Sequence, residues 1–204
     1  MGKKLEFFYD CSSPWTYLAF SQIEKVAMRH QADLIWRPIL VGGVFNAVNP
    51  SVYEQRANPV KIKARYMKKD LQDWAHLYGL KITDMNDLVV FPVNSVKAMR
   101  GAFVAQEHGK IAPYSKLVFE TYWGANRDIS QDEVLRDIVR GSGLEEAEYF
   151  RKITASEYKD MLKANTTELI ERGGFGSPTI FVDGVMFFGN DRLPLVEHSL
   201  VHSH

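Results

Sequence analysis

The sequence predicts an α/β protein. A strand–helix–strand pattern fills the chain as far as Pro38, and a strand, tight hairpin, strand and helix close it. The long stretch between carries only helical spacing. The chain has 204 residues, 46% of them apolar and 25% charged, ample for a buried core.

The elements follow in order. Leu5, Phe7 and Tyr9 alternate with Glu6 and Phe8, the period of a strand. Asp10 to Pro14 is turn-like. A helix is predicted from Pro14 to about Arg29, with Leu18, Ile23 and Val26 buried, and a second strand from Leu34 to Arg37, stopped by Pro38. Farther on, Val60, Ala64, Met67, Leu71, Trp74 and Tyr78 step by fours and threes, which predicts one continuous apolar stripe. Asn58 is expected to cap that helix, with Pro59 at its first position and Gly79 closing it. Ser95 to about His108 reads as another helix ended by Gly109. Ser130 with Glu133, and Thr154 with Glu157, form capping-box patterns, the second before a helix reaching about Arg172. Pro178-Thr-Ile-Phe-Val then reads as a strand, Asp183-Gly184 as a two-residue hairpin turn and Val185 to Phe188 as the returning strand. From Asn190 to about Val201, Leu193, Val196 and Leu200 have helical spacing.

This is the order of a thioredoxin-like fold with a helical domain inserted in its middle. The expected boundaries are 1–41 and 154–204 for the thioredoxin-like part and 42–153 for the insertion.

Composition narrows the function. Lys and Arg number 25 against 25 Asp and Glu, so the formal charge is zero. That argues against a nucleic-acid binder and against a polybasic membrane anchor. No apolar run approaches the roughly 20 residues of a membrane helix, and the N-terminus lacks a signal-peptide core, so a cytoplasmic location is expected. The single cysteine, Cys11, excludes an internal disulfide and a CxxC zinc site. No metal site is expected: His198 and His202 are four apart but lie with His204 in what reads as a solvated tail. Lys61, Lys63, Arg65, Lys68 and Lys69 read as a solvated face broken by Asp70 and Asp73.

Three motifs remain. In Ser13-Pro14-Trp15-Thr16, hydroxyls stand where disulfide oxidoreductases of this fold carry Cys-x-x-Cys, and Cys11 lies two residues too early. Two-cysteine exchange within one chain is therefore excluded. Ser13 either caps its own helix or donates to a thiolate brought by a ligand, at a helix end that favours anions. In Gly176-Ser177-Pro178-Thr179, the proline is either a plain strand-entry residue or a cis proline beside the active turn. If cis, the Ser177 backbone can pair with an extended peptide. In Phe188-Gly189-Asn190-Asp191-Arg192, Asn or Asp either caps a helix or grips the charged end of an amino-acid ligand.

Together these motifs resemble the 2-hydroxychromene-2-carboxylate isomerase family, kin to kappa-class glutathione transferases and DsbA-like oxidoreductases. Trp36-Arg-Pro and the stretch from Met67 through Gly79 agree, and the resemblance spans essentially the whole chain. It implies a glutathione-dependent isomerase of small aromatic substrates, expected to be a homodimer, with glutathione as cofactor. Ser13 would face the glutathione sulfur, beside Trp15. Ser177, before a cis Pro178, would pair with the peptide, and Gly189, Asn190 and Asp191 would hold the γ-glutamyl end. Kappa-class transferases carry an Asn aligned with Asn49, where it touches glutathione. The substrate half departs from the pattern. The naphthalene-pathway isomerases have Lys near Phe45, Asn-Arg at Ala57-Asn58 and Tyr near Ser95. Here Asn46, Asn49 or Arg56 is left to supply polar contacts, with Phe45 and Ser95 at the expected positions. A kappa-class-like transferase and a non-catalytic thioredoxin-like binding module are the alternatives.

Overall fold

The computed structural model describes residues 2–202. Strand β1 (Lys4–Tyr9), helix α1 (Pro14–Arg29) and strand β2 (Asp33–Pro38) form the first unit. β1 and β2 are parallel, with Phe7 opposite Trp36. Helices α2 (Val41–Val48), α3 (Ser51–Ala57), α4 (Lys61–Tyr78), α5 (Val96–Glu107) and α6 (Ile111–Phe119) follow. A π-helical turn (Glu120–Gly124) leads to α7 (Asp132–Gly141), α8 (Glu146–Thr154) and α9 (Ser156–Glu171). Strands β3 (Thr179–Val182) and β4 (Val185–Phe188), a short 3-10 turn (Asn190–Arg192) and α10 (Leu193–Val201) complete the chain. The sheet order is β2-β1-β3-β4, with β3 antiparallel to both neighbours. Asp183 and Gly184 take φ of 46° and 90°, the left-handed pair that a tight hairpin requires.

The alternation of β1 sorts the sheet into two faces. Leu5, Phe7 and Tyr9 join the large core, where Trp36 sets its edge on Tyr9 at 5.7 Å and Phe20 packs on Phe119 at 4.9 Å. Phe8 and Phe181 pack on the opposite face with Ile39, Val44 and Leu169. Glu6 is buried on that side, bonded to Arg172 at 2.8 Å, Arg37 at 2.9 Å and Lys4 at 3.0 Å.

Several local expectations are corrected. α4 begins at Lys61 with Val60 as its cap residue, whereas Asn58 closes α3 and Pro59 lies outside both helices. The stripe on α4 is half a stripe: Leu71 is buried and Trp74 and Tyr78 pack on the core, but Val60 is 68% exposed and Met67 44%. The buried residues of α4, Leu71 and Ala75, both lie in its second half. Neither capping box forms. α7 starts at Asp132 with Gln131 at its cap, and Thr154 ends α8, its hydroxyl bonded back to the Arg151 carbonyl at 2.8 Å. The sequence pattern predicts none of the helices α2, α3, α6 and α8. The 190–201 segment is a 3-10 turn before it is a helix.

Candidate active site

The turn between β1 and α1 is built on a buried carboxylate. Asp10 accepts from Ser12 N–H at 2.9 Å, from Val41 N–H at 2.8 Å and from the Ser95 hydroxyl at 3.1 Å. It thereby ties the starts of α1, α2 and α5 together. Burial pushes its carboxyl pKa up, and those donors work against the shift. Next to it, Cys11 is only 1% exposed, its N–H on the Met99 sulfur and its carbonyl held by Trp123 Nε1 at 2.8 Å. Burial, and then the nearby Asp10 charge, push the Cys11 thiol well above its ordinary pKa. Such a thiol is inert.

Ser13 has the extended backbone of a cap residue, and its oxygen accepts from Thr16 N–H at 3.3 Å. The same hydroxyl donates across the turn to the Ser177 carbonyl at 3.1 Å. Helix capping and contact with the Ser177 backbone are thus combined in one side chain. The Ser177–Pro178 peptide is cis, as is Phe91–Pro92. The Ser177 hydroxyl is also engaged, with Asp10 N–H at 3.0 Å and Thr16 Oγ1 at 2.8 Å.

A cleft of about 340 Å³ opens beside these groups. Trp15, Ser177, Pro178 and residues 188–192 line it from the thioredoxin-like side. Gly189, at φ 105°, donates its N–H to the Pro178 carbonyl at 3.1 Å. A Cβ there would meet Asp191 Oδ1 at 2.7 Å, so the bend needs glycine. Neither Asn190 nor Asp191 caps a helix: Gly189 precedes the 3-10 turn, and Arg192 is the cap residue of α10. Asn190 is 3% exposed, and its Nδ2 has no partner. A buried amide donor without an acceptor is costly, and a ligand acceptor would relieve it. Asp191 is half exposed and paired with Arg192 at 2.8 Å.

The opposite wall was missed by the sequence reading. Asp70 and Trp74 of α4 line the cleft from across it. Their spacing of four puts them on one helix face, but nothing in the sequence says what that face meets.

The remaining expected residues divide into two groups. Asn49 is half-buried and committed within the chain: its Nδ2 donates to the Phe175 carbonyl at 3.1 Å and its Oδ1 accepts from Ser51. Ser95 is 3% exposed with its hydroxyl on Asp10, which makes it part of the scaffold under the turn. Phe45, Asn46 and Arg56 do come together. Tyr53 stands edge-on to Phe45 at 6.3 Å and donates its hydroxyl to Asn46 Oδ1 at 2.8 Å, while the Arg56 guanidinium lies 5.5 Å over the Phe45 ring. Glu107, His108 and Glu148 converge elsewhere, but Lys152 already bridges the two carboxylates.

Fold and turn together define a thioredoxin-like protein whose active turn offers hydroxyls in place of redox sulfurs. The chain belongs to the DSBA-like thioredoxin domain family, whose model matches residues 4–201. It is similar to 2-hydroxychromene-2-carboxylate isomerase of Pseudomonas putida, 27% identical over 96% of this chain and 93% of that one. It is also similar to human glutathione S-transferase kappa 1, 28% identical over 98% of this chain and 92% of that one. A solved structure of 2-hydroxychromene-2-carboxylate isomerase superposes with a TM-score of 0.82 at 26% identity, covering 97% and 94% of the two chains. A cytosolic disulfide reductase of Pseudomonas aeruginosa, solved with GSH, shares the fold at a TM-score of 0.67 and 18% identity. The relatives are isomerases and transferases, so the chain belongs among enzymes.

Proposed function

We propose that this protein is a glutathione-dependent isomerase acting on a small aromatic compound of the 2-hydroxychromene-2-carboxylate type. The observation that carries the reading is the pairing of Ser13 with the cis-proline carbonyl of Ser177, beside a cleft that holds an orphaned buried amide. A tripeptide with a thiol at its centre and charges at its ends fits these donors.

In this reading Asn190 Nδ2 donates to the γ-glutamyl carboxylate, and Asp191 receives the ammonium in place of Arg192. The Ser177 carbonyl accepts a peptide N–H. That contact displaces the Ser13 hydroxyl, which is free to turn its proton toward the sulfur. Ser13 stays protonated throughout and needs no base; among the described residues no histidine lines the cleft. The start of α1 adds its dipole. Bound glutathione supplies a thiolate that adds to the substrate, permits rotation about the bond and leaves again. Trp15 and the cleft wall limit water around the sulfur, which strengthens each of these contacts.

The homologous transferases support conjugation as the second reading, since both chemistries use one thiolate. Product analysis separates them. With 2-hydroxychromene-2-carboxylate, an isomerase yields the open-chain isomer and leaves glutathione undiminished. A stoichiometric glutathione conjugate would favour the transferase, and no turnover would leave a binding module. The exposed apolar side chains Ile62 and Tyr66, four apart on the first half of α4, support a homodimer through that face.

A further inference from the structure

The active turn is fixed from beneath by residues far from its own motif. The peptide unit joining Cys11 to Ser12 is held at both ends. Its carbonyl accepts from Trp123 Nε1 at 2.8 Å, and its N–H donates to Asp10 Oδ1 at 2.9 Å. The Cys11 N–H before it lies on the Met99 sulfur at 3.4 Å, and the Ser13 N–H after it meets the Asp10 carbonyl at 3.3 Å. A peptide clamped at both ends cannot turn over, so the chain enters Ser13 in one direction.

The two Asp10 bonds are local to the turn, whereas the other two come from α5 and from the π-helical turn Glu120–Gly124. A thioether sulfur is a weak acceptor, so the indole bond is the stronger hold from outside. Trp123 is fully buried, stands edge-on to Tyr122 at 4.7 Å and does not line the cleft. A π-helical turn is a rare departure from the α-helix that recurs at functional sites. Here it carries the residue that reaches the active turn, 112 positions from Cys11. Phenylalanine would fill this core as an aromatic ring; the N–H is what tryptophan adds, and it is spent on the Cys11 carbonyl.

We propose that Trp123 is a positioning residue for Ser13: its indole N–H locks the Cys11–Ser12 peptide and so sets the direction of the Ser13 hydroxyl. Its effect on turnover rests on the proposed glutathione function, whereas its hold on the turn can be measured without glutathione.

The test is an isostere that removes the N–H alone. Benzothienylalanine at position 123 keeps the shape of the indole with sulfur in place of N–H, and Trp123→Phe is its simpler companion. Without glutathione, amide exchange at Ser12 and Ser13, followed by NMR, should quicken roughly tenfold in the isostere, the scale of one buried hydrogen bond. Exchange at Phe7 in the middle of β1 should quicken clearly less. With glutathione and 2-hydroxychromene-2-carboxylate, kcat at neutral pH should fall about threefold to tenfold while KM for glutathione stays within about twofold, because Trp123 is remote from the groups that grip the ligand's ends. The pH profile of kcat should move to the alkaline side, since a misdirected Ser13 leaves the thiol less acidic. A residue that only fills the core would lower the melting temperature and leave that profile in place. Equal quickening at Ser12, Ser13 and Phe7 would overturn the proposal, as would an unshifted pH profile or full activity at neutral pH in both variants. Failure of the native protein to bind glutathione, with the local quickening intact, would instead overturn the isomerase reading alone.

Discussion

Asn190→Ala is expected to split stability from ligand binding. The Asn190 side chain is almost fully buried and its Nδ2 donates to nothing in the protein. An unmade buried hydrogen bond costs about 1–3 kcal/mol. An ordinary buried truncation destabilises by about 1 kcal/mol, and deletion of this amide removes the unsatisfied donor at the same time. The two effects offset, so the unliganded mutant should melt at or slightly above the native temperature. In a domain of this size about 1 kcal/mol corresponds to roughly 2–4 °C. Glutathione binding should respond in the opposite sense. A hydrogen bond to a carboxylate is worth about 1.5–3 kcal/mol, so the dissociation constant should rise at least tenfold. Thermal melts with and without glutathione, joined to calorimetry, give both numbers. A mutant that loses several degrees unliganded and binds glutathione as the native protein does would refute the reasoning, because Asn190 would then be a structural residue only.

Further expectations follow from the same geometry. Asp191→Ala should weaken glutathione by about tenfold in calorimetry, and equal affinity would remove Asp191 from the site. Cys11→Ser should keep most glutathione-dependent activity, and Cys11 in the native protein should resist alkylation, because burial and the adjacent Asp10 hold its thiol protonated; rapid labelling, or loss of activity in a folded mutant, would contradict this. Burial pushes the Glu6 carboxyl up, but its bonds to Arg172, Lys4 and Arg37 outweigh this and hold it at about 2. A carboxyl depressed on folding stabilises the protein above its unfolded pKa of about 4.3 and loses that contribution as pH falls toward the folded value. The contribution is about 1–2 kcal/mol after allowance for solvent around the half-open cations. Urea midpoints measured from neutral pH down to about 2 should fall more steeply for the native protein than for Glu6→Gln, and parallel curves would sink the argument.

What was legible in the sequence was whatever depends on neighbours along the chain. The alternation through Leu5, Phe7 and Tyr9 gave a strand with the expected faces, and Asp183-Gly184 gave the hairpin, because each is a local steric requirement. Helix ends were less legible. Thr154 and Glu157 match a capping box, but the Thr154 hydroxyl has a carbonyl of its own last turn within reach. α3 buries no side chain, so it has no apolar stripe to announce it, and α2 begins Val-Gly-Gly without a side-chain cap. The first half of α4 has the apolar spacing of a buried helix yet is exposed, since spacing reports a face and not what covers it. The site divides in the same way. Ser13, the cis Ser177–Pro178 bond and the Gly189 bend lie in short motifs. Asp10 as the tie between three helix starts, and Asp70 and Trp74 as the far wall, depend on contacts between distant segments. Asn49 was expected to touch a ligand, but its amide meets the Phe175 carbonyl, a partner 126 positions away.

If Ser13 activates glutathione, the acidity of the bound thiol is the property it changes. Once a peptide N–H takes the Ser177 carbonyl that Ser13 holds in the free site, the Ser13 proton turns to the sulfur, and the thiolate gains the difference between the charge-assisted bond it accepts and the neutral one a thiol would accept. That difference is about 1–1.5 kcal/mol, or about one pKa unit. Thiolate absorbance of enzyme-bound glutathione should therefore titrate about one unit higher in Ser13→Ala than in the native protein. Activity lost at neutral pH should return as the medium becomes alkaline. Superimposable titrations, with the mutant fully active at neutral pH, would contradict the central claim and leave Ser13 as the cap of α1.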